Sequence, residues 1–143
     1  KTVFEDVWYA LPAHGLSSQR IRAWESVITL RGYAAKEIEV LRAASQVGSS
    51  LQAELEFHVT TTPFEALTSL GDDLHFVMIT SNVKVYRVAS EIEEKILVKP
   101  STHKKCDRCW HYRADVGSDA EHSHICGRCV SNLFGKGEAR KYA

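Results

Sequence analysis

Four cysteines stand in the last third of the chain as two pairs, Cys106 and Cys109 in KKCDRCWHY and Cys126 and Cys129 in HICGRCVSN. Two residues inside each pair let one tight turn present both sulfurs, and the sixteen residues between the pairs allow two such turns to converge on one ion. Thiolates at about 2.3 Å in a tetrahedron bind zinc, and four of them leave no position open for water, so the ion is structural and not catalytic. Folding of this segment is then expected to depend on the metal. The competing readings are a pair of disulfides, a redox dithiol and four unrelated buried thiols. A secreted disulfide scaffold spreads its cysteines through a short chain, whereas here 105 residues precede the first one. A thioredoxin-like pair wants a βαβ setting, and a single Cys-x-x-Cys is enough for it. His111, His122 and His124 lie close enough in sequence to replace one sulfur; four thiolates remain the preferred set. Gly127 is expected to give the second turn a positive φ, with Asp107 in the matching place of the first.

The residues around the sulfurs suggest binding chemistry. Arg108 and Arg128 occupy the third position of the two turns, and Trp110-His111-Tyr112 follows the first pair at once. Arginine pairs with phosphate bidentately or stacks, and tryptophan stacks on an unpaired base, worth about 1–3 kcal/mol per base. For Trp110 the heavier alternative is packing, because an aromatic in a ribbon with little core shields the sulfurs. For Arg108 and Arg128 the balance reverses, since a knuckle turn is expected to project its side chains outward. Lys104, Lys105, Arg140 and Lys141 extend a basic track along the same end, unless they are only solvated surface charges.

Charge distribution agrees with that asymmetry. The chain is neutral overall, but residues 1–102 carry 10 Lys and Arg against 13 Asp and Glu, while residues 103–143 carry 8 against 5 and hold four of the histidines. With 143 residues, 44% hydrophobic and 25% charged, the chain is long enough to bury a core and has ordinary globular composition. There is no apolar run of membrane-spanning length and no charged-then-apolar leader at the start. Persistent thiolates call for a reducing, cytoplasmic setting. The chain opens at Lys1 directly into TVFEDVWYALP, which reads as the interior of a longer protein.

The elements that must position the cysteines read as α+β. Ser17 or Ser18 caps a long helix through QRIRAWESVITLRGYAAKEIEVLRAASQ, with Ile21, Trp24, Ile28, Ala35, Ile38 and Leu41 on its apolar face and Gly48 with two serines ending it. LQAELEFHVT alternates as a half-buried strand, with Leu51, Ala53, Leu55, Phe57 and Val59 inward. Thr62-Pro63 opens a short helix carrying Phe64, Leu67 and Leu70 that stops at Gly71, and a second short helix is expected from Asp72. FVMITS and VKVYRVA read as strands joined by a turn at Ser81-Asn82, and EKILVKP reads as another that Pro100 interrupts. The expectation is one long helix on a small mixed sheet over residues 1–100, followed by a four-cysteine zinc ribbon over residues 101–143.

Nothing in the chain reads as a catalytic constellation. A Gly-x-x-x-x-Gly-Lys-Ser/Thr loop is absent, Gly135-Lys136-Gly137 lacks the preceding strand of a phosphate loop, and His14-Gly15 is an isolated dipeptide. The polypeptide reads as a binding module.

The runs KCDRCWHYRADVG, HICGRCVSN and GEARKYA closely resemble the C-terminus of bacterial isoleucyl-tRNA synthetases, in which a Cys-x-Arg-Cys-Trp knuckle and a Cys-Gly-Arg-Cys knuckle hold a zinc. The long tryptophan-bearing helix, the strand entry at residues 48–53 and LGDDLHFVMITS resemble, less sharply, the region joining that family's anticodon-binding helices to its zinc module. The resemblance implies an ATP- and Mg(2+)-dependent class I enzyme that attaches isoleucine to tRNA(Ile) and edits misactivated valine. The family's His-x-Gly-His and Lys-Met-Ser-Lys-Ser signatures are missing from these residues, so the resemblance implies catalysis in the remainder of the same chain. It implies Cys106, Cys109, Cys126 and Cys129 as zinc ligands, Arg108, Trp110 and Arg128 as transfer RNA contacts, and a cytoplasmic, non-membrane, monomeric protein. Two alternatives come from other classes. One is the C-terminal finger of formamidopyrimidine-type DNA glycosylases; the other is a zinc ribbon for protein–protein interaction.

Overall fold

The computed structural model describes residues 2–139. The long helix, α1 (Ser18–Ala43), begins where a serine can cap it: Ser17 Oγ accepts the N–H of Arg20 at 3.3 Å, satisfying one of the donors orphaned at a helix start. It ends earlier than expected. Ser45 takes φ +57, and the N–H groups of Ser45 and Gln46 close back on the carbonyls of Arg42 and Leu41, so a Schellman turn with serine in place of glycine stops the helix. Gly48 lies beyond it. The buried face is Val27, Ala34 and Ile38, with Ala23, Trp24, Leu30 and Leu41 beside it. Ile28 is 62% exposed and Ala35 is exposed too, so the expected face is displaced by one residue at both positions.

Strand β1 (Ala53–Val59) is the centre of the sheet and obeys its alternation, with Ala53, Leu55, Phe57 and Val59 buried and Glu54, Glu56 and His58 on the wetter face. Leu51 precedes it in a short 3-10 turn. On that wetter face Lys99 Nζ reaches Glu56 Oε1 at 3.0 Å, and the His58 ring stacks on Tyr86 at 4.9 Å. Two strands flank β1: β2 (Asn82–Arg87) runs parallel to it and β3 (Lys95–Pro100) antiparallel, so the sheet is mixed with order β2-β1-β3. Pro100 completes β3 opposite Ala53, at the strand end where a missing N–H is tolerated. Helices α1 and α2 (Thr61–Thr68) cover the apolar face.

The N-cap of α2 falls two residues before the expected Thr62. Thr60 is its N-cap residue, but the Thr60 side chain binds Glu94 Oε1 across the fold at 2.6 Å, and Pro63 falls within the first turn, where an N–H is not needed. The segment FVMITS is not a strand. A 3-10 turn (Gly71–Asp73) leads into α3 (Leu74–Met78), and Leu74 and Met78, four apart, both face the core before Ile79 ends the helix at φ +56. A short apolar run suits either period, and here helical spacing wins because it buries Leu74 and Met78 on one face. Parallel pairing of β1 and β2 needs a crossover, and α2 with α3 supplies it.

Past Ser101 the chain forms a two-stranded ribbon, β4 (Lys104–Lys105) against β5 (Tyr112–Arg113), and then α4 (Gly127–Phe134). A second buried cluster forms here, made of Cys106, Cys126 and Cys129 with Cys109, Val116 and Ile125 around them. Among the described residues, no helix is long and apolar enough to cross a membrane.

Candidate metal centre

The first cysteine pair sits on the tip of the β4–β5 ribbon. Cys106 N–H continues the ladder to His111 O at 2.9 Å, and Trp110 N–H turns back onto Cys106 O at 2.9 Å, closing the loop over the sulfurs. That closure puts Trp110 at φ +66, the left-handed region, which favours glycine. The second pair is not a matching turn. Cys126 is the residue before α4 and Cys129 lies in its first turn, so the helix itself sets their separation. Gly127 has no positive φ, and neither has Asp107. Gly127 matters for space: an added Cβ would stand 3.0 Å from Asp115 Oδ2, the oxygen that accepts the Gly127 N–H at 3.0 Å. Asp115 thereby places a carboxylate at the start of α4, where the helix dipole favours it, and its other oxygen takes Arg113 Nε at 3.1 Å.

These two scaffolds bring the four sulfurs to within 4.8 Å of one another, with Cys106–Cys129 at 3.7 Å and Cys109–Cys126 at 3.8 Å. All four cysteines are free. The contacts are far too long for disulfides, and they match the edge of a tetrahedron whose centre lies 2.3 Å from each corner, about 3.8 Å. Burial opposes ionisation of Cys106, but the backbone N–H groups of Cys109, Cys126 and Arg108 outweigh it and bring that thiol down to about 6. Burial pushes the thiols of Cys109 and Cys126 up. A cation at the centre is what lets all four carry charge together.

The nearby histidines have other work. His122 stacks on Phe134 at 4.0 Å, and the His124 carbonyl accepts the N–H of Asp107 at 3.1 Å. His111 donates from Nδ1 to Cys109 O at 3.1 Å and turns its ring edge-on to His75 and Phe76 of α3, with centroids 5.6 and 5.5 Å away. Each knuckle therefore sends one side chain to α3, because Arg128 lies over the Phe76 ring at 4.7 Å. Tyr112 N–H donates to Ser81 Oγ at 2.6 Å, and Ser81 Oγ in turn donates to Leu51 O, tying the ribbon to the entry of β1. Sequence reasoning missed Ser81, His75, Phe76 and Asp115, whose partners lie far along the chain.

The two arginines do not project from their turns as expected. Arg128 is inward, its side chain only 16% exposed and its Nε on Glu138 Oε2 at 2.6 Å. Arg108 is exposed as a residue, but its Nη1 points to Cys129 Sγ at 3.6 Å. Lys104 and Lys105 are exposed and make no ion pair among the described residues; Lys105 Nζ stands 5.0 Å from the centre of the Trp110 ring, which is itself 59% exposed. Trp110 is thus a surface residue and not the shield of the sulfurs. Arg140 and Lys141, the far end of the expected basic track, lie outside the described residues.

Residues 104–132 match the family described as the zinc finger found in FPG and IleRS. With the four-sulfur cluster, that match makes this the centre of a structural zinc ion. The isoleucine–tRNA ligase of Janthinobacterium sp. (strain Marseille) is 51% identical over 142 residues, 99% of this chain and 15% of that protein. Those of Burkholderia cenocepacia (strain HI2424) and Paraburkholderia xenovorans (strain LB400) are each 48% identical, over 99% and 100% of this chain and 15% of their own length. The chain spans 15% of the length of the curated relatives it matches. About half-identical to isoleucine–tRNA ligases from end to end, and carrying the zinc finger found in FPG and IleRS, the chain is similar to a 15% segment of that ligase family.

Proposed function

We propose that the chain is the transfer-RNA-contacting, zinc-ordered C-terminal part of an isoleucine–tRNA ligase. Residues 1–100 set the position of a metal-held module over residues 101–143. ATP- and Mg(2+)-dependent activation of isoleucine and its attachment to tRNA(Ile) take place in the remainder of the same chain, in the cytoplasm and in a monomer. The observation that carries this reading is identity near one half across the whole chain, which includes the α+β unit as well as the finger. A finger shared with FPG alone would favour DNA equally, but the match to ligases extends over the residues outside 104–132.

The surface supports an RNA contact at Lys104, Lys105 and Trp110. The groove between α3 and the metal centre suits a polyanion less well, because its arginines are already paired, Arg113 with Asp115 and Arg128 with Glu138. The lysines of β4 have no such partners among the described residues and lie beside an exposed indole. Left-handed backbone costs a residue with a Cβ roughly 1–2 kcal/mol, so an exposed tryptophan there is a strained residue with little burial to offset the strain. Stacking on an unpaired loop base accounts for it, and protein recognition of RNA sequence falls mostly on such bases. In this role Lys104 and Lys105 hold the flanking phosphates.

The test is binding of the zinc-loaded chain to isoleucine transfer RNA across a salt series, beside an unrelated transfer RNA and a DNA duplex. Preference for the isoleucine RNA that weakens with salt and disappears on chelation is the expected result. Equal binding to the DNA duplex would transfer the reading to a glycosylase-type finger. No nucleic-acid binding at all would leave a ribbon for protein contact.

A further inference from the structure

The metal centre carries a charge problem that Arg108 is placed to solve. Four thiolates around a divalent ion leave a net charge of about −2. Charge on metal-bound sulfur is stabilised by hydrogen bonds from the surrounding protein, and in a small ribbon most of these come from backbone N–H groups. Here the N–H of Cys126 reaches Cys106 Sγ at 3.3 Å, and the N–H groups of Cys109 and Arg108 point to the same sulfur. Cys109 takes the N–H of His111, and Cys126 takes the N–H of Cys129. Cys129 Sγ takes a side-chain donor, Arg108 Nη1 at 3.6 Å.

We infer that Arg108 is a positioning residue of the metal centre, a guanidinium that neutralises the Cys129 sulfur and ties the first knuckle to the second. Arg108 sits between Cys106 and Cys109 on the ribbon, whereas Cys129 sits on α4, so the contact spans the two scaffolds that must stay together for four sulfurs to share one ion. Arg128, the equivalent residue of the second pair, lies in the field of Cys109 and Cys129 but gives its Nε to Glu138 and its face to Phe76. The two arginines look alike in sequence and differ in role: Arg128 docks the knuckle on α3, and Arg108 holds the metal centre closed. This inference rests on the four-cysteine zinc reading and is independent of RNA.

The experiment compares zinc release from the loaded wild-type chain, R108Q and R108K, using a chromogenic chelator in excess and no RNA. R108Q, which removes the charge at nearly constant size, is expected to release zinc roughly 10- to 100-fold faster, the usual effect of losing an outer-shell partner. R108K keeps the charge without the fork and falls between R108Q and wild type. Alkylation of Cys129 under the same conditions accelerates in R108Q before that of Cys106, whose donors are backbone groups. Release from R108Q at the wild-type rate overturns the inference. If R108Q does not load at all, R108K decides: loading supports the role of charge, and failure of both variants with the α+β unit folded overturns it. A wild-type zinc content other than one ion per chain would sink the metal reading itself.

Discussion

Replacing Trp110 separates its cost to the fold from its value at the surface, because the two substitutions that remove the ring differ only in a Cβ. Trp110 is held at φ +66 by its N–H bond to Cys106 O, so W110A keeps the strained backbone while W110G relieves it. Relief is worth roughly 1–2 kcal/mol, less the extra 0.5–1 kcal/mol of freedom that glycine loses on folding, which at mid-range leaves W110G more stable than W110A by about 0.8 kcal/mol. Both variants also lose the buried part of an indole that is 59% exposed, and that loss cancels in the comparison. Binding should not distinguish them. Loss of one base–aromatic stack costs about 1–3 kcal/mol, or roughly 5- to 150-fold in Kd, and W110F should recover part of it. The assays are urea unfolding of the zinc-loaded chain and fluorescence anisotropy with isoleucine transfer RNA. Wild-type affinity in both ring-less variants would refute the stacking argument, and equal stability of W110A and W110G would refute the strain argument.

Three further outcomes follow from other parts of the molecule. K104A/K105A should lower the magnitude of the logarithmic salt slope for RNA binding by about 1.4 while leaving zinc content intact, and an unchanged slope would remove these lysines from the phosphate track. Phe57→Ala empties the centre of β1, where the ring is fully buried, and should cost about 3–5 kcal/mol in urea unfolding; a loss below about 1 kcal/mol would mean that the sheet does not carry the core. Burial of His75 against α4 and the ribbon lowers its pKa below the ordinary 6.5, so the neutral ring stabilises the fold. That stability is fully present above 6.5 and is lost as pH falls through the folded value, because the unfolded chain takes up the proton first. H75Q should flatten the fall in stability below pH 6.5 relative to wild type, and parallel curves would exclude His75 as a contributor.

What the amino-acid sequence discloses and what it hides divide along the range of the interactions. The sulfur cage is legible because each pair of ligands lies within one local turn or one turn of helix, and β1 is legible because a strand with one wet face writes its burial as alternation. The face of α1 is less so. Apolar residues occupy adjacent positions, Val27 with Ile28 and Ala34 with Ala35, and only the placement of β3 and α2 decides which of each pair is covered. FVMITS fails because of its length, since its four apolar residues, Phe76 to Ile79, cannot express a period by themselves. The arginines are the more instructive case. A Cys-x-Arg-Cys turn taken alone has no partner for its guanidinium, so it reads as outward; the partners are Cys129, Phe76 and Glu138, contributed by α4, by α3 and by the residues after α4. Lys104 and Lys105, by contrast, face solvent without a counter-charge among the described residues, beside the indole that the metal turn holds in a conformation a glycine would take more easily. The metal centre thus does more than close a small module. By fixing the first turn it sets the angle of Trp110, and by starting α4 it turns Arg128 inward onto α3, so the same four sulfurs decide which aromatic faces solvent and which cation is paired inside.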